Sequence, residues 1–264
     1  MKKLIRRGGI RRIYLLPNLL TTGNIICGVL SVIYTIDGRY QAAAYAILIG
    51  WLFDLLDGRI ARLTNTGSLF GVHYDSLADL VTFGLAPGAL IFQYFKRPHD
   101  KFLVAVVVIY TVSCALRLAR FNLQASTTEK HGFKGLPSPA SGCLIATLFL
   151  CLLLTAGGSP APESRLLALS IQVLALLLSG LMVSDIPYPA LDPSILRRRH
   201  PFHYLVILLI SVAFIVSNPP LALWILFTGY TLSGPVFMLF RYLRHQVPAE
   251  EPPEETGEAL HPKE

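Results

Sequence analysis

The sequence predicts an all-α protein, a polytopic bundle of about eight transmembrane helices. Three observations carry this. Of the 264 residues 53% are hydrophobic and only 15% charged, with a mean hydropathy of +0.55, whereas a soluble domain uses about 25% charged residues. Seven stretches carry no charge at all: 19–36, 41–53, 80–95, 102–116, 135–162, 166–184 and 204–240. The 16 acids are also unevenly spread, with six after residue 249 and four between positions 54 and 79 inside an otherwise apolar region.

Taken in order, the first stretch reaches spanning length, which is about 20 apolar residues. The second and third are short and reach it only if their helices include the charged neighbours at 54–62 and 71–79. Those charges are therefore expected on helices near a membrane face, not in free loops. The fourth, fifth and sixth stretches each supply a span. The seventh, 37 residues long, is broken by Asn218-Pro219-Pro220, because proline removes a helix donor and disfavours the α region in the residue before it. It reads as two spans and a tight turn, which makes eight.

Orientation follows from Lys and Arg in the short connections. Lys2, Lys3, Arg6, Arg7, Arg11 and Arg12 precede the first span with no acid among them, so the N-terminus is expected in the cytoplasm, and with eight spans the C-terminus joins it. The apolar segment that follows is too long for a cleavable signal and lacks a small-residue cleavage site. The chain divides into a basic cytoplasmic segment at 1–15, a membrane domain at 16–244 and a tail at 245–264, whose prolines and glutamates cannot bury a core and predict disorder. The four cysteines share no ligand spacing and no two histidines stand four apart, so no zinc site is expected. No glycine-rich nucleotide loop and no basic face interleaved with aromatics is present, which excludes nucleic acid as a partner.

Chemistry concentrates in WLFDLLDGRIARLTNTGSLFGVHYDSLADLVTFGLAPG, beginning at Trp51. Helical spacing puts Asp54, Asp57 and Ala61 on one face of one helix, and Gly71, Asp75 and Asp79 on one face of the next. Four carboxylates aimed at one another in a poorly screened setting repel unless cations lie between them. Oxygen donors without thiolate or imidazole favour magnesium, manganese or calcium. Two such ions can hold the attacking and leaving oxygens of a phosphoryl displacement. Gly58, Ala61 and Gly71 leave room beside them, and Arg62 offers a forked donor to a phosphate. The alternative is ion pairing of the aspartates with Arg59, Arg62, Arg117 or Arg120. A divalent-cation transporter would instead place carboxylates at the midplane and show repeat symmetry, but these fall at helix ends and no inverted repeat is visible.

The pattern D-x-x-D-G-x-x-A-R, eight residues, then G-x-x-x-D-x-x-x-D is filled at every fixed position by Asp54, Asp57, Gly58, Ala61, Arg62, Gly71, Asp75 and Asp79. This resembles the signature of the CDP-alcohol phosphatidyltransferases, integral membrane enzymes that move a phosphatidyl group from a CDP-linked lipid to an alcohol and release CMP. The resemblance implies that Asp54, Asp57 and Asp75 hold one metal, that Asp54, Asp75 and Asp79 hold or border a second, and that Asp79 is the catalytic base. It assigns Gly58, Ala61, Arg62, Ser68 and Gly71 to the CDP-lipid, together with Asn18 and Thr21 of a P-N-x-x-T segment. Asn and Thr at a helix start are also ordinary caps.

Outside the signature, the stretches at 16–24, 76–87, 117–122, 135–140 and 181–189 are similar to the serine-using branch of that family, although a basic residue is expected where Asp185 stands. The resemblance thus implies CDP-diacylglycerol and L-serine as substrates, a homodimer, and a multi-pass protein of the cell inner membrane with its site facing the cytoplasm. Arg117, Arg120, Asn122 and Ser138 are the candidates for holding the acceptor. Arg117 and Arg120 with Lys134 would equally suit a phosphate, which keeps glycerol 3-phosphate and inositol phosphate open.

Overall fold

A computed structural model describes residues 7–64, 68–96, 100–126, 135–155, 164–188 and 216–245. Among the described residues eight α-helices run in order: α1 (Arg7–Ile36), α2 (Tyr40–Thr64), α3 (Leu69–Asp79), α4 (Ala86–Phe95), α5 (Lys101–Ser126), α6 (Ser138–Thr155), α7 (Arg165–Val183) and α8 (Pro219–His245). A π-helical segment, Leu80–Leu85, joins α3 to α4. Among the described residues six helical rods are long and apolar enough to cross a membrane: Leu16–Ile36, Leu69–Phe95, Lys101–Leu123, Ser138–Thr155, Arg165–Val183 and Pro219–Arg241. The protein is a multi-pass membrane protein.

The expectation that the second and third stretches extend into their charged neighbours holds. α2 runs 25 residues and carries Asp54 and Asp57 within it, and Leu69–Phe95 is one 27-residue rod that includes Asp75 and Asp79. α2 falls outside the six rods because its aspartates and polar start lower its hydropathy. Asn218 breaks the chain before α8 as its prolines require. Residues 204–215, the basic run at 197–199, Lys130, Lys134 and the tail beyond His245 lie outside the described residues. Residues 7–15 of the basic segment form the first turns of α1.

Local sequence explains the joints. Gly38, at φ 73°, ends α1 with Arg39 N–H on Tyr34 O (2.8 Å) and Gly38 N–H on Thr35 O (3.1 Å), a closure that needs the left-handed region. α2 can then turn back against α1. Asp100 and Ser164 cap α5 and α7 by accepting from Leu103 N–H and Leu167 N–H. The π segment has a covalent cause in Pro87, whose ring crowds the carbonyl four residues back, that of Phe83. The ladder widens there, and Ala86 N–H bonds Val81 O. The loosened carbonyls are taken up by α5, Phe83 O by Tyr110 Oη at 3.0 Å and Gly84 O by Thr111 Oγ1 at 3.5 Å.

The core runs through Ile47, Phe83, Leu90, Tyr110, Leu136 and Phe149, all fully buried. α6 lies innermost, and α8 leaves Leu232, Val236, Phe237, Leu239 and Phe240 exposed on its outer face, as lipid contact demands. Gly28, Gly50 and Thr82 bring α1, α2 and the π segment close together. A Cβ on Gly28 would stand 2.5 Å from Thr82 Oγ1, and one on Gly50 would stand 2.7 Å from Thr82 Cγ2.

A second left-handed glycine shapes the end of the bundle that carries Arg117. Gly135 has φ 83°, and a Cβ there would lie 2.5 Å from Met182 O and 3.0 Å from Ser184 O, both backbone atoms. Gly135 N–H and Leu136 N–H bond Ile186 O and Leu181 O at 2.9 and 3.0 Å, so the loop before α6 is stitched to the end of α7. Gly135→Ala should destabilise the protein by about 1–3 kcal/mol, read as a lower midpoint of thermal unfolding in detergent. An unchanged midpoint would show that the stitch can open at no cost.

Candidate active site

The four aspartates meet where α2 and α3 are both buttressed by α1. Asp54, Asp57 and Asp75 each offer an oxygen within 4.8 Å of the others. Asp57 is buried, and Thr21 Oγ1 of α1 donates to its Oδ2 at 2.8 Å. Asp79 is also buried; its Oδ1 accepts from Asn24 Nδ2 at 3.2 Å, and it lies in hydrogen-bonding reach of Asp54. Among the described residues Asp79 does not join the converging trio. None of the four is ion-paired to Arg59, Arg62, Arg117 or Arg120, so the ion-pairing alternative does not account for them.

Three acceptor-only groups this close are electrostatically unstable without a cation. Asp75 Oδ1 is buried and has no hydrogen-bond partner, a cost retained in native proteins where a ligand or ion completes the group. Hard oxygen donors, mutual repulsion and an orphaned oxygen all fit a divalent cation.

An open cavity of about 120 Å³ adjoins the trio, with Asp57 and Asp75 in its wall. Asn18, Thr21, Gly58, Ala61, Ser68 and Gly71 line it too, so six of the seven residues expected to hold the donor face one space. Gly58 fronts it openly, since a Cβ there would meet nothing within 4 Å. Ser68 is the N-cap of α3, its Oγ accepting from Gly71 N–H at 3.0 Å, which aims the positive end of α3 at the cavity. α1 begins at Arg7, well upstream of Asn18 and Thr21, so capping is not their role. Thr21 bonds Pro17 O and Asp57 instead.

Arg62 is the seventh. It lies exposed with Nε donating to Gly58 O at 2.9 Å, along its own helix. Of the four acceptor candidates, Arg117 faces Asp79 and Asp54 and donates from Nη1 to the buried Ser138 Oγ at 2.6 Å. Arg120 pairs with Asp185, the position where a basic residue is expected, and donates to Val183 O at 3.2 Å. Asn122 bonds Ser76 across α5 and α3. Sequence reading assigned no role to Asn24, although it sits three residues after Thr21 on the same helix face, nor to Tyr230 of α8, which stands beside Arg117.

The class of protein is a multi-pass membrane protein with an aspartate trio fit for a divalent ion beside an open cavity. The family model for CDP-alcohol phosphatidyltransferase matches residues 14–183, and the chain belongs to that family. Among curated proteins it is similar to the CDP-diacylglycerol–serine O-phosphatidyltransferase of Helicobacter pylori, at 34% identity over 232 residues covering 88% of this chain and 94% of that protein. It is 35% identical over 180 residues to the archaetidylserine synthase of Methanothermobacter thermautotrophicus, covering 67% of this chain and 70% of that one. It is also 36% identical over 137 residues to the CDP-diacylglycerol–serine O-phosphatidyltransferase of Bacillus subtilis, 51% of this chain and 75% of that one.

Proposed function

We propose that this protein transfers the phosphatidyl group of CDP-diacylglycerol to the hydroxyl of L-serine, giving phosphatidylserine and CMP. The observation that carries the reading is the single cavity shared by Asp57, Asp75 and six residues of the donor signature. The Helicobacter pylori relative named for serine transfer, matched over 88% of this chain, supports serine as the acceptor.

In this reading Asp54, Asp57 and Asp75 hold a divalent cation, with Asp79 bordering a second, and magnesium, manganese and calcium all suit the oxygen donors. When bound, the ions neutralise charge on the diphosphate and on the departing CMP. Asn18 and the N-terminus of α3 supply hydrogen-bond donors to the CDP portion, Thr21 lines its space while donating to Asp57, and Gly58 and Ala61 keep the wall low enough for it to lie against α2. Asp79 takes the proton of the serine hydroxyl. The oxygen then bonds to the lipid-side phosphorus as the bond from that phosphorus to CMP breaks. Arg117, fixed by Ser138 and facing Asp79, receives the serine carboxylate. The site opens to the cytoplasm of the cell inner membrane, where the soluble acceptor arrives, and the protein works as a homodimer.

Arg117→Lys tests the acceptor assignment. A charge-assisted bidentate contact is worth about 1.5–3 kcal/mol, so KM for serine should rise about 10- to 100-fold with KM for CDP-diacylglycerol little changed. Equal rises in both would remove Arg117 from the serine pocket. The reading as a whole is tested by offering purified protein CDP-diacylglycerol with labelled serine, glycerol 3-phosphate and inositol phosphate in parallel. Lipid product with serine alone is expected, and product with glycerol 3-phosphate and none with serine would overturn the acceptor.

A further inference from the structure

Four aspartates share this site, yet they divide three to one. The oxygens of Asp54, Asp57 and Asp75 converge, while Asp79 stands beside Asp54 and outside the group. Something must hold it apart, because a free carboxylate one helical turn beyond Asp75 can swing toward the same centre. The sole side-chain amide in contact with Asp79 among the described residues is that of Asn24, which is wholly buried and donates Nδ2–H to Asp79 Oδ1 at 3.2 Å.

Asn24 is itself held rigidly. Thr82 Oγ1, three residues beyond Asp79, donates to the Asn24 carbonyl at 3.0 Å. The other end of the amide, Oδ1, has no hydrogen-bond partner and rests in the space left by Gly50, where a Cβ would stand 3.1 Å from it. A buried amide with one end unpaired is costly in an apolar bundle. An apolar side chain of the same size would pack there without that cost, so the amide is explained by what its other end does. Its N–H donors also fix which way round it sits: facing a carboxylate, Nδ2 must point to Asp79 and Oδ1 away.

We propose that Asn24 is the positioning residue of Asp79. It occupies one carboxylate oxygen, withholds Asp79 from the converging trio and presents the second oxygen to the acceptor hydroxyl. The inference rests on the phosphatidyl-transfer reading for the role of Asp79. It extends that reading to a residue on α1 whose amide bonds Asp79.

Asn24→Leu keeps the volume and removes the donor. Turnover should fall about 10- to 100-fold, the loss typical of an orienting partner, with KM for CDP-diacylglycerol and for the acceptor unchanged. Manganese binding at the converging trio, followed by electron paramagnetic resonance, should also be unchanged, since Asp54, Asp57 and Asp75 are untouched. Asn24→Thr, whose hydroxyl can bond the carbonyl four residues back and spare the helix, should lose turnover in the same way and serves if the leucine variant does not fold. Undiminished turnover in either variant, or loss of manganese affinity in step with turnover, would overturn the proposal. Turnover is read as CMP release with serine, glycerol 3-phosphate and inositol phosphate side by side. A wild-type preference for another acceptor contradicts the serine reading while the Asn24 comparison still stands on that acceptor, and wild-type protein that releases CMP with none of them overturns both.

Discussion

Asp79→Asn is expected to lower phosphatidyl transfer about 10²–10⁴-fold, the range that a positioned general base contributes, while binding of CDP-diacylglycerol remains measurable. The replacement is isosteric and keeps an oxygen for Asn24 Nδ2, so the buried contact at 3.2 Å survives. What disappears is the capacity to accept a proton. The cavity wall contains Asp57 and Asp75 but not Asp79, so with the donor placed there as proposed, donor affinity and turnover should separate. Near-normal turnover in this variant would remove Asp79 from the base role, and equal loss of donor binding would move it into the donor site.

Asp75→Asn should act with opposite signs on stability and activity. Its Oδ1 is buried and unpartnered, and its carboxylate stands among two others within 4.8 Å. Without metal the group is a source of repulsion, so neutralising it should raise the thermal midpoint of the metal-free protein. With manganese the order reverses. The wild-type protein gains stability by binding a ligand in its folded state only, and the variant should gain little. Transfer should fall by more than about 100-fold, beyond the loss that outer-shell partners produce. A metal-free midpoint lower in the variant than in the wild-type protein would mean that Asp75 is a structural hydrogen-bond acceptor and not a ligand.

Much of this site was legible because its spacing is local. Asp54 with Asp57, and Gly71 with Asp75 and Asp79, lie within two helical turns of each other, so helix periodicity alone assigns their faces. The Asn218-Pro219-Pro220 break acts on its immediate neighbours and is likewise readable. The parts that escaped depend on contacts between distant segments. Asn24 reaches Asp79 across 55 positions, and the π segment requires Tyr110 and Thr111 of another helix to receive the carbonyls that Pro87 disturbs. Arg62, read from the motif as a phosphate donor, also bonds the Gly58 carbonyl of its own helix through Nε. Arg117, far from the motif in the chain, is the guanidinium that faces the aspartates. Position 185 illustrates the same point, since Asp185 finds its meaning in the pair with Arg120 on another helix.

The most direct test of the account uses the purified protein in vesicles of CDP-diacylglycerol and a neutral lipid, with labelled serine, measuring phosphatidylserine and CMP together. With magnesium or manganese present the two products should appear in equal amounts, stop when the ions are chelated, and resume when they are returned in excess. Serine incorporation that continues in chelator, or CMP released without phosphatidylserine, would contradict it.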